Sequence, residues 1–144
     1  MQSFFKLNRL IVFFIACGFF VLAFEIYLQH YNQLQDKKIM WTPIVFGTIG
    51  GIVGLLIALI FNRISYYLFF ILMIISILVG ILGLYLHNRW RIPTAINFFI
   101  NGIPFNFEIL TTYTPFLAPS AFIAMGGLGL LIAIYQEWGN KNKL

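Results

Sequence analysis

Charged residues are scarce in this chain: only 9% of its 144 residues are Asp, Glu, Lys or Arg. Soluble domains carry about a quarter charged residues, so this scarcity excludes an ordinary soluble domain. The hydrophobic content of 61% and the mean hydropathy of +0.93 point the same way. Four long apolar runs account for the excess, and residues 1–144 are therefore predicted to form a single integral membrane domain.

Cysteine is nearly absent as well. The lone Cys17 excludes an intrachain disulfide and a cluster of thiolate metal ligands. The sequence also lacks a nucleophile elbow, a phosphate-cradling glycine loop, a Cys-x-x-Cys pair and a dinucleotide-binding fingerprint. No enzyme class is indicated, and whether the protein is an enzyme stays open. Three of the four apolar runs carry no charge at their centres, which disfavours a solute path through one chain.

The formal net charge of +5 comes from basic residues at the ends of the apolar runs. There, Lys and Arg side chains can reach lipid phosphates and help to set the orientation of a membrane protein. The charge therefore indicates a lipid bilayer as the partner, and not nucleic acid.

The N-terminus carries some features of a secretion signal. Lys6 and Arg9 precede the apolar segment Leu10–Ala16, and Ala16-Cys17 resembles a lipoprotein cleavage site. However, the apolar run continues through Phe24, beyond a sensible cleavage point. It is therefore predicted to be an uncleaved first transmembrane helix.

The four apolar runs predict four transmembrane helices, because roughly 20 residues cross a bilayer core of about 30 Å. Their predicted bounds are about 10–28, 39–61, 64–86 and 115–135. The turn at Asn62-Arg63 is so short that the third helix should pack antiparallel to the second. Residues 88–114 are predicted to form an extramembrane cap with a short interfacial helix near Thr94–Ile100. The predicted fold class is an all-α bundle of four transmembrane helices with a partly structured outer loop between helices 3 and 4.

Small residues recur along three of these helices, at spacings that let two helices approach closely. The glycines predicted to serve helix packing are Gly47, Gly51, Gly54, Gly80, Gly83, Gly126 and Gly129. Such faces also support a second hypothesis for function. The chain would be an accessory or structural subunit of a larger membrane complex, or a homo-oligomer, that associates through its glycine-rich helix faces.

An even number of crossings places both termini on one side of the membrane. That side carries five basic side chains, Lys6, Arg9, Arg63, Lys141 and Lys143. The other side carries four, Lys37, Lys38, Arg89 and Arg91. The positive-inside rule then predicts that both termini are cytoplasmic.

The same topology places the ends of helices 1 and 3 on the outer side. Glu25 lies about one turn inside an apolar helix, where an ionisable group costs about 2.5 kcal/mol or more and calls for a partner or a function. His30 lies at the exit of that helix, and His87 lies at the end of helix 3. Imidazole and carboxylate ligands suit zinc, copper or iron. Glu25, His30 and His87 are therefore predicted metal ligands, and Glu108 is a further candidate.

Helical phase restricts this metal site. Glu25 and His30 are five residues apart, which is ~140° around a regular helix. They can share an ion only if the helix ends or bends near Leu28. The alternative without a cofactor has both histidines hydrogen-bonded to the loop or to headgroups, with Glu25 neutral or paired with Arg89 or Arg91.

A b-type haem is a third interpretation. His30 and His87 lie at matched depth on two helices, and axial ligation by two helices of a bundle is ordinary haem chemistry. Gly80 and Gly83 would give the porphyrin clearance beside His87. The position of both histidines near helix ends is against it, because haem needs a deep slot.

Several short motifs resemble a group of small, four-helix bacterial inner-membrane proteins of unassigned function. They are Glu25…His30, Trp41-Thr42-Pro43, Gly80/Gly83…His87-x-Arg89 and Pro115-Phe116-Leu117-Ala118-Pro119. The resemblance covers most of the chain and implies the fold and the bacterial inner membrane, but no activity. It also implies that Glu25, His30 and His87 belong to a shared pattern, which Glu108 does not match. The leading prediction is a small polytopic inner-membrane protein with a Glu/His/His metal or cofactor site at the outer membrane boundary.

Overall fold

In the computed structural model, residues 2–60, 62–89, 92–102 and 119–141 are described. All regular structure in these ranges is helical, which confirms the all-α prediction for them. The α-helices are α1 (Gln2–His30), α2 (Trp41–Ile60), α3 (Arg63–Asn88), α4 (Ile92–Asn101) and α5 (Ser120–Lys141). The predicted start of the last helix, 115–118, lies outside the described residues, and so does the part of the predicted cap from residue 103 onwards.

Among the described residues, three segments are long and apolar enough to cross a membrane. They are Asn8–Gln33, Lys38–Ile60 and Ile64–Asn88. The apolar part of α5, Ser120–Tyr135, is shorter. Large apolar side chains are exposed along these helices, among them Phe14, Leu59 and Leu131. An apolar surface of this extent suits contact with lipid or with another protein, and not with water.

The connection between α1 and α2 folds back on the start of α2. It contains two 3₁₀ turns, Tyr31–Gln33 and Lys38–Met40. The Trp41 indole Nε1 donates a hydrogen bond to the carbonyl of the buried Leu34 at 3.2 Å. Pro43 lies in the first turn of α2, where a helix needs no N–H donor from it. The Trp41 bond therefore ties the connection to the start of α2.

Side chains also satisfy the backbone groups where α2 ends and α3 begins. The Asn62 side-chain oxygen accepts hydrogen bonds from the backbone N–H of Ser65 at 2.8 Å and from its hydroxyl at 3.0 Å. This is a regular N-cap. The Arg9 guanidinium, from α1, donates to the carbonyls of Ala58 at 3.1 Å and of Leu59. These carbonyls lack partners within the last turn of α2, so Arg9 acts as its C-terminal cap.

The helices associate as two main pairs, α1 with α2 and α3 with α5, and smaller contacts of α2 with α3 and of α1 with α5 join the pairs. An aromatic cluster lies where the pairs meet. The buried rings of Phe19 and Phe122 stack with centroids 6.0 Å apart, and Phe46 meets them edge-on at 5.6 and 5.7 Å. This cluster joins α1, α2 and α5.

Two hydroxyl groups of α3 hydrogen-bond to backbone carbonyls of α5. The fully buried Ser76 donates from Oγ to Phe122 at 2.8 Å, and the Tyr66 hydroxyl donates to Ala133 at 3.1 Å. In apolar surroundings such bonds hold two helices together and favour one relative position. They therefore fix the register of α3 against α5.

The glycines of α2 pack against α1. A Cβ placed at Gly54 would lie 2.9 Å from the Cβ of Ala16, and one at Gly47 would lie 3.0 Å from the carbonyl oxygen of Phe19. The two helices therefore approach too closely for a side chain at either position.

The glycines of α3 and α5 pack against each other's helix in the same way. A Cβ at Gly80 would lie 2.9 Å from the backbone nitrogen of Ile123, and one at Gly126 would lie 2.7 Å from the carbonyl oxygen of Met73. These glycine-rich faces are thus occupied within the chain. At Gly47, Gly54, Gly80 and Gly126 they therefore leave no free surface through which the chain could associate with a larger complex.

The helix α4, Ile92–Asn101, includes the residues of the short helix predicted near Thr94–Ile100. It is followed by Gly102, whose φ of +63° is the left-handed conformation that commonly ends a helix. Ile96, Phe99 and Ile100 are exposed and share one face at i, i+3 and i+4. An apolar face of this kind is typical of a helix that lies on a membrane surface, and that location stays a prediction.

Candidate functional site

The two histidines of the chain contact each other. Their ring centroids are 5.6 Å apart, and the rings meet edge to face at 63°. His30 is the last residue of α1 and His87 the penultimate residue of α3. The contact therefore joins the two main helix pairs at one end of the molecule.

A hydrogen bond sets the tautomer and the orientation of the His30 ring. Its Nδ1 lies 3.0 Å from the carbonyl oxygen of Ile26. A carbonyl only accepts, so Nδ1 carries the proton and Nε2 of the neutral ring is the acceptor. The same type of bond orients histidines that ligate metals. The His87 ring is partly buried, and its Nδ1 is fully buried.

Glu25 does not join the two histidines. The helix α1 continues without interruption through His30, so the end or bend that a shared ion requires near Leu28 does not occur. Glu25 is exposed and accepts a hydrogen bond from the side chain of Gln29 at 3.0 Å, and it forms no ion pair with Arg89.

Within the described ranges, no three His, Cys, Asp or Glu side chains are placed where they could hold one metal ion. The predicted set of Glu25, His30 and His87 is therefore not assembled there. Glu108 and Arg91 lie outside the described residues.

Both histidines line a cavity of about 210 Å³, which we call the histidine pocket. Its polar lining residues are Gln29, His30, Lys37, Thr42, His87 and Arg89. Its apolar lining includes Ile26, Met40, Val79, Leu82, Leu86 and Phe122. The end of α1, the connection that follows it, the start of α2, the end of α3 and the start of α5 all contribute to the lining.

The histidine pocket is electropositive. Lys37 and Arg89 are exposed charged side chains on its lining, and the lining that the structure describes includes no Asp or Glu. Arg and Lys bind carboxylate and phosphate groups through charge-assisted hydrogen bonds. The two cations favour an anion and oppose a bare divalent cation.

The pocket is polar at one end and apolar along its length. On α3 its lining extends from Arg89 back to Val79, ten residues or about 15 Å of helix. The charged groups lie at the helix ends, whereas Val79 and Phe122 lie further into the helical body. The arrangement fits a ligand that has an anionic head and an apolar part.

Sequence reasoning missed several members of this pocket. Lys37 was counted only as a charge that sets orientation, and Thr42 only as part of a short motif. The sequence carries a signal for this, because the connection of residues 31–40 between α1 and α2 is long enough to fold back over the end of α1. Gly83 also contributes, since a Cβ there would lie 2.8 Å from the Cβ of Pro119, so it admits the start of α5 to the pocket.

Comparison with protein-family models, with curated proteins and with solved structures finds no match. The chemistry of the histidine pocket is therefore what indicates a function.

Proposed function

We propose that this chain is a small multi-pass membrane protein that binds an anionic ligand in the histidine pocket. The observation that supports this best is the convergence of Lys37 and Arg89 with His30 and His87, with no acidic side chain in the described lining. The guanidinium of Arg89 provides several N–H donors in a fork that matches phosphate or carboxylate oxygens. The neutral His30 ring adds no free donor, because its one N–H bonds to the Ile26 carbonyl, so Lys37 and Arg89 are the donors on which the proposal depends.

In this proposal α5 is the fourth span, and the protein is a bundle of four transmembrane helices. Both termini then lie on one side, and the excess of basic side chains there, five against four, assigns them to the cytoplasm. The histidine pocket lies at the outer boundary of the membrane. The resemblance to bacterial inner-membrane proteins supports the bacterial inner membrane as its location.

Removing the charge of Arg89 should weaken binding of an anion. We expect Arg89→Gln to bind sn-glycerol 3-phosphate about tenfold more weakly than the parent, the loss that corresponds to one charge-assisted hydrogen bond. Lys38→Gln is the matched control, because Lys38 is charged and adjacent to Lys37 but does not line the pocket. Isothermal titration calorimetry of delipidated protein measures both. Unchanged binding in Arg89→Gln, or equal binding of choline, contradicts the proposal.

A metal or cofactor site at His30 and His87 is a second candidate, favoured by the 5.6 Å contact between their rings. Two imidazoles suit zinc, copper or iron, and an anionic ligand held by Lys37 and Arg89 would complete the coordination. Haem fits this geometry less well, because the rings contact each other directly and a porphyrin between them would have to separate them.

Metal analysis and an absorption spectrum of the purified protein test this second candidate. We expect stoichiometric metal that is lost in His30→Ala and in His87→Ala. Glu25→Gln should retain it, because Glu25 lies on a different face of α1 from His30. A Soret band would identify haem instead, and metal that survives both histidine substitutions would contradict the site.

A further inference from the structure

We infer that the anion is the headgroup of a net-negative membrane phospholipid, with the start of an acyl chain against the apolar half of the histidine pocket. This inference rests on the proposed function and names its ligand class. Two features carry it: the division of the pocket into a charged end and an apolar length, and the exposure of part of its apolar wall.

The charged end lies where lipid phosphates would lie. Lys37 precedes α2 and Arg89 follows α3, so both cations flank the ends of helices that are long and apolar enough to span a bilayer. Basic side chains at such positions meet the headgroup layer. Both side chains are exposed at the pocket and can contact an oxygen that arrives from outside.

The apolar wall is accessible from the side of the helical body. Ile39 and Leu82 line the pocket and are 54% and 41% exposed. When α2 and α3 span a bilayer, this exposed edge faces the hydrocarbon, so the pocket opens toward lipid. A molecule already in the membrane could enter it without crossing water.

The apolar half distinguishes a lipid from a soluble anion. A soluble phosphate would fill only the charged end and would leave the apolar lining at Val79, Leu82 and Met40 without contact to the ligand. A phospholipid would cover them with an acyl chain. That chain leaves one apolar environment for another, so it adds little affinity by itself, and the headgroup charge selects the lipid. A net-negative headgroup suits Lys37 and Arg89, whereas the choline cation of a zwitterionic lipid would be repelled.

The test uses full-length protein in phosphatidylcholine nanodiscs that contain a minority of phosphatidylglycerol, with retained lipid identified by native mass spectrometry. We expect phosphatidylglycerol to be retained in preference to phosphatidylcholine. Lys37→Gln should reduce this preference about tenfold, and Lys38→Gln should leave it unchanged.

A second variant tests the apolar half. Val79→Phe fills that half from α3 and should lower retention of phosphatidylglycerol relative to the parent protein, because the larger side chain occupies the space of the acyl chain. Leu82→Phe fills it from the next turn of α3 and serves the same purpose if Val79→Phe does not fold.

The outcomes separate this inference from the proposed function. Equal retention of the two lipids, or retention that survives both Val79→Phe and Leu82→Phe, overturns the lipid assignment. The anion-binding function then still stands if sn-glycerol 3-phosphate binds and depends on Arg89. If neither the retention of phosphatidylglycerol nor the binding of sn-glycerol 3-phosphate depends on Lys37 or Arg89, the lipid assignment and the anion-binding function are both overturned.

Discussion

Replacing Gly126 by alanine should destabilise the protein by about 2 kcal/mol, the cost typical of one excess group in a close-packed contact. The new Cβ would lie 2.7 Å from the carbonyl oxygen of Met73 and 3.1 Å from the backbone nitrogen of Ile77. These are backbone atoms of α3 that cannot rotate away, so the α3–α5 pair would have to separate. Unfolding by dodecyl sulfate in mixed micelles, followed by circular dichroism, measures the change.

The adjacent Gly127 provides a matched control. A Cβ there meets none of the described neighbouring atoms within 4 Å. Because alanine favours a helix over glycine by up to about 1 kcal/mol, Gly127→Ala should be neutral or slightly stabilising. Equal unfolding midpoints for the two variants would show that α3 and α5 do not meet at Gly126.

Replacing Gly54 by leucine should destabilise the isolated chain by about 3 kcal/mol, at the upper end of the cost of overpacking. Its Cβ would lie 2.9 Å from the Cβ and 3.4 Å from the Cα of Ala16, a residue with 0% exposure. Val45→Leu is the control on the same helix, because Val45 is 48% exposed and has room for a larger side chain. The same unfolding measurement compares the two variants.

This substitution also tests the hypothesis of an accessory subunit. If the Gly54 face were an interface with a partner, Gly54→Leu would leave the single chain stable and abolish a complex. The packing of Gly54 on Ala16 predicts instead that the single chain itself loses stability.

The glycines also serve the pocket indirectly. Close α1–α2 and α3–α5 contacts are what bring His30, His87 and the start of α5 together.

Much of the helical architecture could be predicted from local sequence. Apolar runs long enough to span a membrane, and the glycines along them, can be read from contiguous residues. The helices α2 and α3 accordingly lie within two residues of their predicted ends. The end of α1 is the instructive difference. The sequence predicts its end at about residue 28, and a shared ion would need an end or bend there. The helix continues through His30, whose ring bonds back to the carbonyl of Ile26.

The stretch from Glu25 to His30 shows where sequence reasoning about the site ended. Counting crossings placed His30 and His87 at one end of the molecule, and helical phase already indicated that Glu25 faces elsewhere if α1 is regular. Nothing local could decide whether the helix was regular there. Its continuity excludes Glu25 from the histidine contact and leaves it bonded to Gln29.

By itself the sequence determined that this chain is helical and apolar enough to cross a membrane, because these properties follow from composition and from runs of adjacent residues. It also determined that the basic residues lie at the ends of the apolar runs. Only the tertiary structure decided that Lys37 and Arg89 share a pocket with the two histidines. That arrangement depends on the distance and rotation between helices that are remote in the chain. Close contacts at the glycines set both, and neighbouring residues along the chain do not show which helices will meet.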